Sequence, residues 1–213
     1  DRNVCKHCRS GLNVVLDQAH MAFKSTWREC LITDRAKIIS TAANLLRKKS
    51  KEYANYLTLE MGKLTHESQA EVNLSADILD YYARNAGHYL QPRKLAESPG
   101  AELHLEPIGI LLGITPWNFP YYQIARIAGP QLMVGNVLLL KHAENVPQSA
   151  LAFARLIVEA GAPPGVYTNL FASVEQVGRI IEDPRVRGVT LTGSERAGAA
   201  VAERAGRSLK KSV

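Results

Sequence analysis

The stretch from Gly109 to Glu144 sets what this chain can fold into. An apolar run, Ile108 to Ile114, stops at Thr115-Pro116-Trp117-Asn118-Phe119-Pro120, and an amphipathic segment follows. A second apolar run, Val137 to Leu140, stops at Lys141-His142-Ala143-Glu144. That order reads as strand, polar corner, helix, strand, polar corner. In an open parallel sheet, ligands sit outside the carboxyl ends of the strands. Both polar corners fall at such ends, so they are expected to face one shared crevice.

The same alternation continues. Pro147 suits the first position of a helix carrying Leu151, Ala154, Leu156, Ile157 and Val158, and Gly161 ends it. Val166 to Phe171 reads as a strand. Ser173 and Gln176 make a capping box for a short helix that ends near Asp183-Pro184. Val186 to Leu191 is the next strand, stopping at Thr192-Gly193-Ser194. A helix from Glu195 to about Ala205 follows, and Ser208 to Val213 begins a further strand. Strands recur roughly every 25–30 residues, the spacing of βαβ units.

Upstream the pattern is helical. Leu12 to Trp27 carries an apolar stripe. Thr33 is the expected cap of a second helix with Ile38, Ile39, Ala42, Leu45 and Leu46 on one face. Ser50 is the expected cap of a third, with Tyr53, Ala54, Leu57 and Met61 inward and Gly62 as its stop. A longer helix, from about Thr65 to Leu90, has Val72, Ala76, Leu79, Tyr82, Ala86 and Tyr89 at core spacing. Pro92 ends it. Ser98-Pro99-Gly100, flanked by Leu95 and by Leu103-His104-Leu105, suggests a short two-stranded excursion or a linker. An exposed apolar edge there would suit pairing with another subunit. The expected fold is therefore α/β: a Rossmann-like open parallel sheet over 108–213, a helical segment over 12–90, a β excursion over 91–107 and an irregular 1–11.

Composition narrows the class. The 213 residues are 46% hydrophobic and 22% charged, ordinary for a soluble globular protein, and no apolar run reaches transmembrane length. The start DRNVCKHCRSG has no signal-peptide core, so the expected location is the cytoplasm, with mitochondria left open. A net charge of +6 is dispersed except at Arg47-Lys48-Lys49 with Lys51, and at Arg204, Arg207, Lys210 and Lys211. These read as solvated helix faces and not as a nucleic-acid patch, since interleaved aromatics and a continuous basic face are missing. No nucleic-acid or membrane partner is expected. Cys5, Cys8 and Cys30 are an odd count, and Cys5-Lys6-His7-Cys8 lacks a second half-site, so no disulfide framework and no metal site are expected.

Three corners could carry chemistry. Gly193-Ser194-Glu195-Arg196-Ala197-Gly198 joins a strand to a helix, where free N–H groups suit a phosphate, or the glycines serve a tight turn. No Lys-Ser/Thr follows, which rejects a Walker A loop, and G-x-G-x-x-G is absent. Lys141 can bind phosphate or ribose oxygens. Glu144 can accept from a ribose diol and would repel a 2′-phosphate; an exposed ion pair is the alternative. Asn118, bracketed by two prolines and two aromatics, can donate to a developing oxyanion or support its own turn.

Together these corners resemble the aldehyde dehydrogenase superfamily over residues 12–213. The matching motifs are Thr58-Leu59-Glu60-Met61-Gly62-Lys63, Thr115-Pro116-Trp117-Asn118-Phe119-Pro120, Leu139-Leu140-Lys141-His142-Ala143-Glu144, Gly161-Ala162-Pro163-Pro164-Gly165-Val166 and Val189-Thr190-Leu191-Thr192-Gly193-Ser194. Lys141-His142-Ala143 and the run Arg196-Ala197-Gly198-Ala199-Ala200 are similar to the succinate-semialdehyde dehydrogenase branch. The resemblance implies oxidation of an aldehyde, succinate semialdehyde among the candidates, to its acid with NAD(P). It implies Ile114, Thr115, Pro116 and Trp117 on the nicotinamide side. Lys141 to Glu144, with His142 and Ala143 between, would lie at the adenosine ribose. Thr192, Gly193, Ser194 and Gly198 would lie at the pyrophosphate. Glu144 favours NAD, with NADP possible, and Asn118 matches the oxyanion-hole amide.

Departures from the family pattern matter as well. The general-base glutamate and the nucleophilic cysteine usually follow later than Ser212-Val213, and Cys5, Cys8 and Cys30 match no nucleophile motif. Leu191 stands where Phe is commoner, and Phe171-Ala172-Ser173 lacks a usual glycine. The expectation is a truncated cofactor-binding part, inactive alone, that meets a small aldehyde only with a catalytic domain, with a homo-oligomer left open. The alternative is a non-catalytic nucleotide-binding or interaction module.

Overall fold

In the computed structural model, residues 9–213 are described; Cys5 and Cys8, with the half-site they form, lie outside them. Four α-helices come first: α1 (Arg9–Ala22), α2 (Ile32–Lys48), α3 (Ser50–Met61) and α4 (Thr65–Tyr89). A π-helical turn, Phe23–Trp27, continues α1 where an unbroken α-helix was expected. It turns Trp27 fully inward, where the indole N–H donates to Leu132 O at 3.2 Å.

Two expected caps are corrected. α2 starts at Ile32 with Leu31 as its cap and α3 at Ser50 with Lys49 as its cap, and neither cap residue makes a side-chain hydrogen bond. Thr33 and Ser50 fall inside the helices because the preceding backbone already turns before them. Tyr89 is also corrected. It lies half-exposed at the end of α4 and pairs its hydroxyl with that of Tyr81, so it is not core. Gly62 does end α3 in the left-handed region, at φ 73°, which a side chain would resist.

A two-residue antiparallel pair, β1 (Arg93–Lys94) and β2 (Glu102–Leu103), follows. Then come β3 (Ile110–Ile114), α5 (Pro120–Val134), β4 (Val137–Lys141), α6 (Pro147–Glu159), β5 (Tyr167–Leu170), α7 (Val174–Glu182), β6 (Val186–Leu191), α8 (Glu195–Arg207) and β7 (Lys211–Ser212). The five strands β3 to β7 form one parallel sheet in the order β5-β4-β3-β6-β7. β3 and β4 are buried almost throughout, as apolar strands covered on both faces must be. The chain winds outward from β3 to β5, then crosses back to β6. The winding reverses between β3 and β6, the place where open sheets bind ligands.

One buried cluster runs from Leu12 to Ala205, so helices and sheet share a core. Arg35 is buried in it without a carboxylate partner among the described residues. Its Nε donates to Met133 O at 3.1 Å, and its guanidinium also reaches Trp27 O and Cys30 O. The helical segment thus grips the carboxyl end of α5 by hydrogen bonds as well as by packing.

Candidate functional site

The strand ends are level. Leu170 pairs with Lys141, Lys141 with Ile114 and Ile114 with Leu191, one straight row across four strands. The ladder runs one step further, since Thr115 N donates to Lys141 O at 3.2 Å and Thr192 N to Ile114 O at 3.0 Å. The corners that follow these ends therefore share a single edge.

Two cavities open along it. One, of about 190 Å³, is lined by Lys141, His142, Glu144, Pro147, Leu170, Phe171 and Ala172. The other, of about 340 Å³, is lined by Pro116, Trp117, Asn118, Gln123, Thr192, Gly193 and Ser194, at the reversal between β3 and β6. The row order places the first at β4 and β5 and the second at β3 and β6. Ala143 is half-buried beside the first cavity and Ile114 half-buried beneath the second. Trp117 is 51% exposed, and Asn118 is exposed as well.

His142 is turned inward, away from solvent, at 4% exposure. Its Nδ1 accepts from Ala143 N at 2.8 Å, which leaves Nε2–H to donate to Pro120 O at 3.2 Å. The ring is a neutral staple between the two corners, and burial pushes its pKa down to about 4. Both nitrogens are engaged, so it has no spare atom for a ligand.

Helix N-termini decide where an anion can go. α5 starts with Pro120, which has no N–H, and the next two N–H groups, of Tyr121 and Tyr122, donate to Glu71 Oε1 at 2.9 and 3.3 Å. α6 starts with Pro147, and Gln148 N and Ser149 N donate to Glu60 at 2.5 and 2.9 Å, with the Ser149 hydroxyl joining at 2.7 Å. α7 carries the Ser173–Gln176 capping box, which takes up the N–H groups of Ser173 and Gln176 and leaves those of Val174 and Glu175 without an acceptor among the described residues. α8 has a similarly open first turn. The Ser194 hydroxyl accepts from Ala197 N at 3.3 Å, and the N–H groups of Glu195 and Arg196 find no acceptor among the described residues. Beside that opening, a Cβ built on Gly198 would meet nothing within 4 Å. Bare backbone facing open space suits the close approach of a ligand. The Thr115 hydroxyl, buried and unpartnered among the described residues, adds an orphan polar atom at the same edge.

Sequence reasoning did not single out Glu60 or Glu71 as caps, or Lys63 as a neighbour of Asn118. Lys63 and Glu60 lie in a quoted motif, but their targets are far along the chain. Cys30 does not belong to the site. Its carbonyl shares the Arg35 guanidinium with Trp27 O, while the same side chain bonds Met133 O at the carboxyl end of α5. Asn118 precedes the amino end of that helix, whose 15 residues span about 22 Å.

The family model described as "Aldehyde dehydrogenase family" matches residues 6–213. Over 201 residues the chain is 49% identical to a protein named succinate-semialdehyde dehydrogenase, NADP(+), of Deinococcus radiodurans, covering 93% of this chain and 42% of that protein. It is 43% identical over 188 residues to the succinate semialdehyde dehydrogenase, NAD(P)+, of Escherichia coli K12, covering 88% and 41%. The crystal structure of succinic semialdehyde dehydrogenase from Streptococcus pyogenes in complex with NADP+ superposes with a TM-score of 0.95 at 44% identity. It covers all of this chain and 47% of that one. The chain thus spans less than half the length of these relatives.

Proposed function

We propose, from the premise that this chain belongs to the aldehyde dehydrogenase family, that its crevice binds a nicotinamide dinucleotide for the oxidation of an aldehyde to its acid. The observation that carries this is the level row of four strand ends with the open first turn of α8 beside the cavity of Asn118, Gly193 and Ser194, where Gly198 adds bare backbone. The pyrophosphate would meet the N–H groups after Ser194, against Gly193 and Gly198. The adenosine ribose would lie in the cavity of Lys141 and Glu144, and the nicotinamide beside Ile114 to Trp117. The bound nicotinamide supplies the hydride acceptor. Asn118 would donate its amide to the oxyanion formed from the aldehyde.

The cysteine among the described residues, Cys30, lies by the carboxyl end of α5 and not beside Asn118, so in this reading the attacking thiolate would come from elsewhere. An aldehyde bearing a carboxylate, such as succinate semialdehyde, is supported by a track along α5. Phe119 and Tyr122 meet edge to face at 5.9 Å, and Arg126 lies 5.4 Å over Tyr122 with no acidic partner among the described residues. The exposed Leu95, Leu103 and Leu105 around β1 and β2 support pairing of copies there.

Calorimetry of NAD with this chain tests the reading. Lys141→Ala is expected to weaken NAD about ten-fold or more, the loss of one charge-assisted contact. A folded chain that binds no NAD, or a variant that binds equally well, would sink it. The Glu144 carboxylate favours NAD over NADP by repelling a 2′-phosphate. Glu144→Ser is therefore expected to raise NADP affinity about ten-fold and to change NAD affinity less. Equal responses of the two cofactors would remove Glu144 from the selection.

A further inference from the structure

The corner that carries Asn118 is exposed on its outer side, yet it is held from beneath by a buried ion pair. Gly62 turns the chain out of α3, and the Lys63 backbone carbonyl there accepts from the Ser68 hydroxyl at 3.5 Å. The Lys63 side chain then runs under the corner. Its Nζ donates to Asn118 O at 3.1 Å, stands 3.8 Å over the Phe119 ring and pairs with Glu71 Oε2. The other Glu71 oxygen takes the Tyr121 and Tyr122 N–H groups. The two side chains are 9% and 1% exposed. One pair thus touches four residues of the corner and of the first turn of α5: Asn118, Phe119, Tyr121 and Tyr122.

Packing alone does not call for this arrangement. Desolvating two charges costs several kcal/mol per ion, and apolar side chains of like volume commonly stabilise as well or better. An ion pair with defined hydrogen bonds gives direction, which apolar contacts do not. It sets where the Asn118 carbonyl points and where α5 begins, and so restricts the rotation of the residue between them. Burial alone would raise the pKa of Glu71 above the usual carboxylate range, and Lys63 opposes that shift.

We propose that Lys63 and Glu71 are positioning residues for the Asn118 amide. They act through the backbone of the corner and touch neither substrate nor cofactor. This rests on the role given to Asn118 above. The test does not depend on it, because it reads the corner without cofactor. If NAD fails to bind while the corner responds as stated, the functional reading falls and the positioning stands.

The test is amide NMR and hydrogen exchange on the 213-residue chain with Lys63→Met, Lys63→Arg and Glu71→Gln, and with Arg47→Met as control. Arg47 pairs with Asp77 and Asp80, six and nine residues beyond Glu71 on α4, and touches neither Lys63 nor Glu71 by a hydrogen bond or ion pair. In Lys63→Met, exchange at Tyr121 and Tyr122 is expected to quicken about ten-fold or more, and the Trp117 and Asn118 signals to broaden or split. Amides from Ile124 to Gly129 should change less than about two-fold, and Lys63→Arg should restore most of the effect. Glu71→Gln keeps an acceptor for Tyr121 and Tyr122, so it should disturb Asn118 more than those two amides. It also serves if Lys63→Met does not fold. Unchanged corner signals, loosening spread evenly along α5, no rescue by arginine, or an equal effect of Arg47→Met would each overturn the proposal.

Discussion

Between pH 6.5 and 4 the folded chain is expected to lose about 3 kcal/mol of stability through His142 alone. The sign follows from the direction of the shift. In the unfolded chain the imidazole takes up a proton as the pH falls through 6.5. In the folded chain burial is the main cause that holds it neutral down to about 4. Over that window the unfolded state binds more protons and is favoured. The stability is full above pH 6.5 and lost as the pH falls towards 4. Glu71 acts in the opposite sense, because its folded pKa is raised and it takes up its proton earlier when folded. The measurement is therefore a difference. Urea unfolding of wild type and His142→Gln across this range should differ in slope by close to one proton. Parallel slopes would mean that the imidazole is solvated and that the staple to Pro120 O is not formed.

Glu60→Ala is expected to cost about 2–4 kcal/mol, with α6 loosening first. The carboxylate accepts from two backbone N–H groups and one hydroxyl at the start of α6, across 88 and 89 residues of chain. Removing it leaves those donors half-buried without a partner and takes a negative charge from the positive end of a 13-residue helix. Glu159→Ala, which breaks an exposed pair with Lys49, is the comparison and should cost less than about 1 kcal/mol. Chemical denaturation with exchange at Gln148 and Ser149 separates the two. Equal small losses in both variants would show that water caps α6 as well as Glu60 does.

Much of the edge was legible in the residues themselves. Apolar runs broken by Thr115-Pro116-Trp117, by Lys141-His142 and by Thr192-Gly193 gave the strands and their ends, because a strand buried on both faces has little choice of composition. Ser173 with Gln176 and Gly62 were readable for a similar reason, since each cap is written within four residues. The holding devices were not. Glu60, Glu71 and Arg35 meet their partners 88, 50 and 98 residues away. No local period marks such a pair. In a helix, Glu71 and Arg35 look like any charged residue near a stripe, and their burial arises only when α4 and α2 dock. The expected caps at Thr33 and Ser50 failed for the opposite reason: the local signal was present, but the backbone had already turned.

The two borrowed caps also bear on how this fold can be inherited or rebuilt. The starts of α5 and α6 are completed by carboxylates from the helical segment, and the end of α5 is completed by Trp27 and Arg35. The sheet with its own crossover helices is therefore not a transplantable module. A graft of residues 108–213 onto another scaffold would leave the first N–H groups of α5 and α6 without their carboxylate acceptors. The helices outside the sheet are what close two of the four helix starts along its edge.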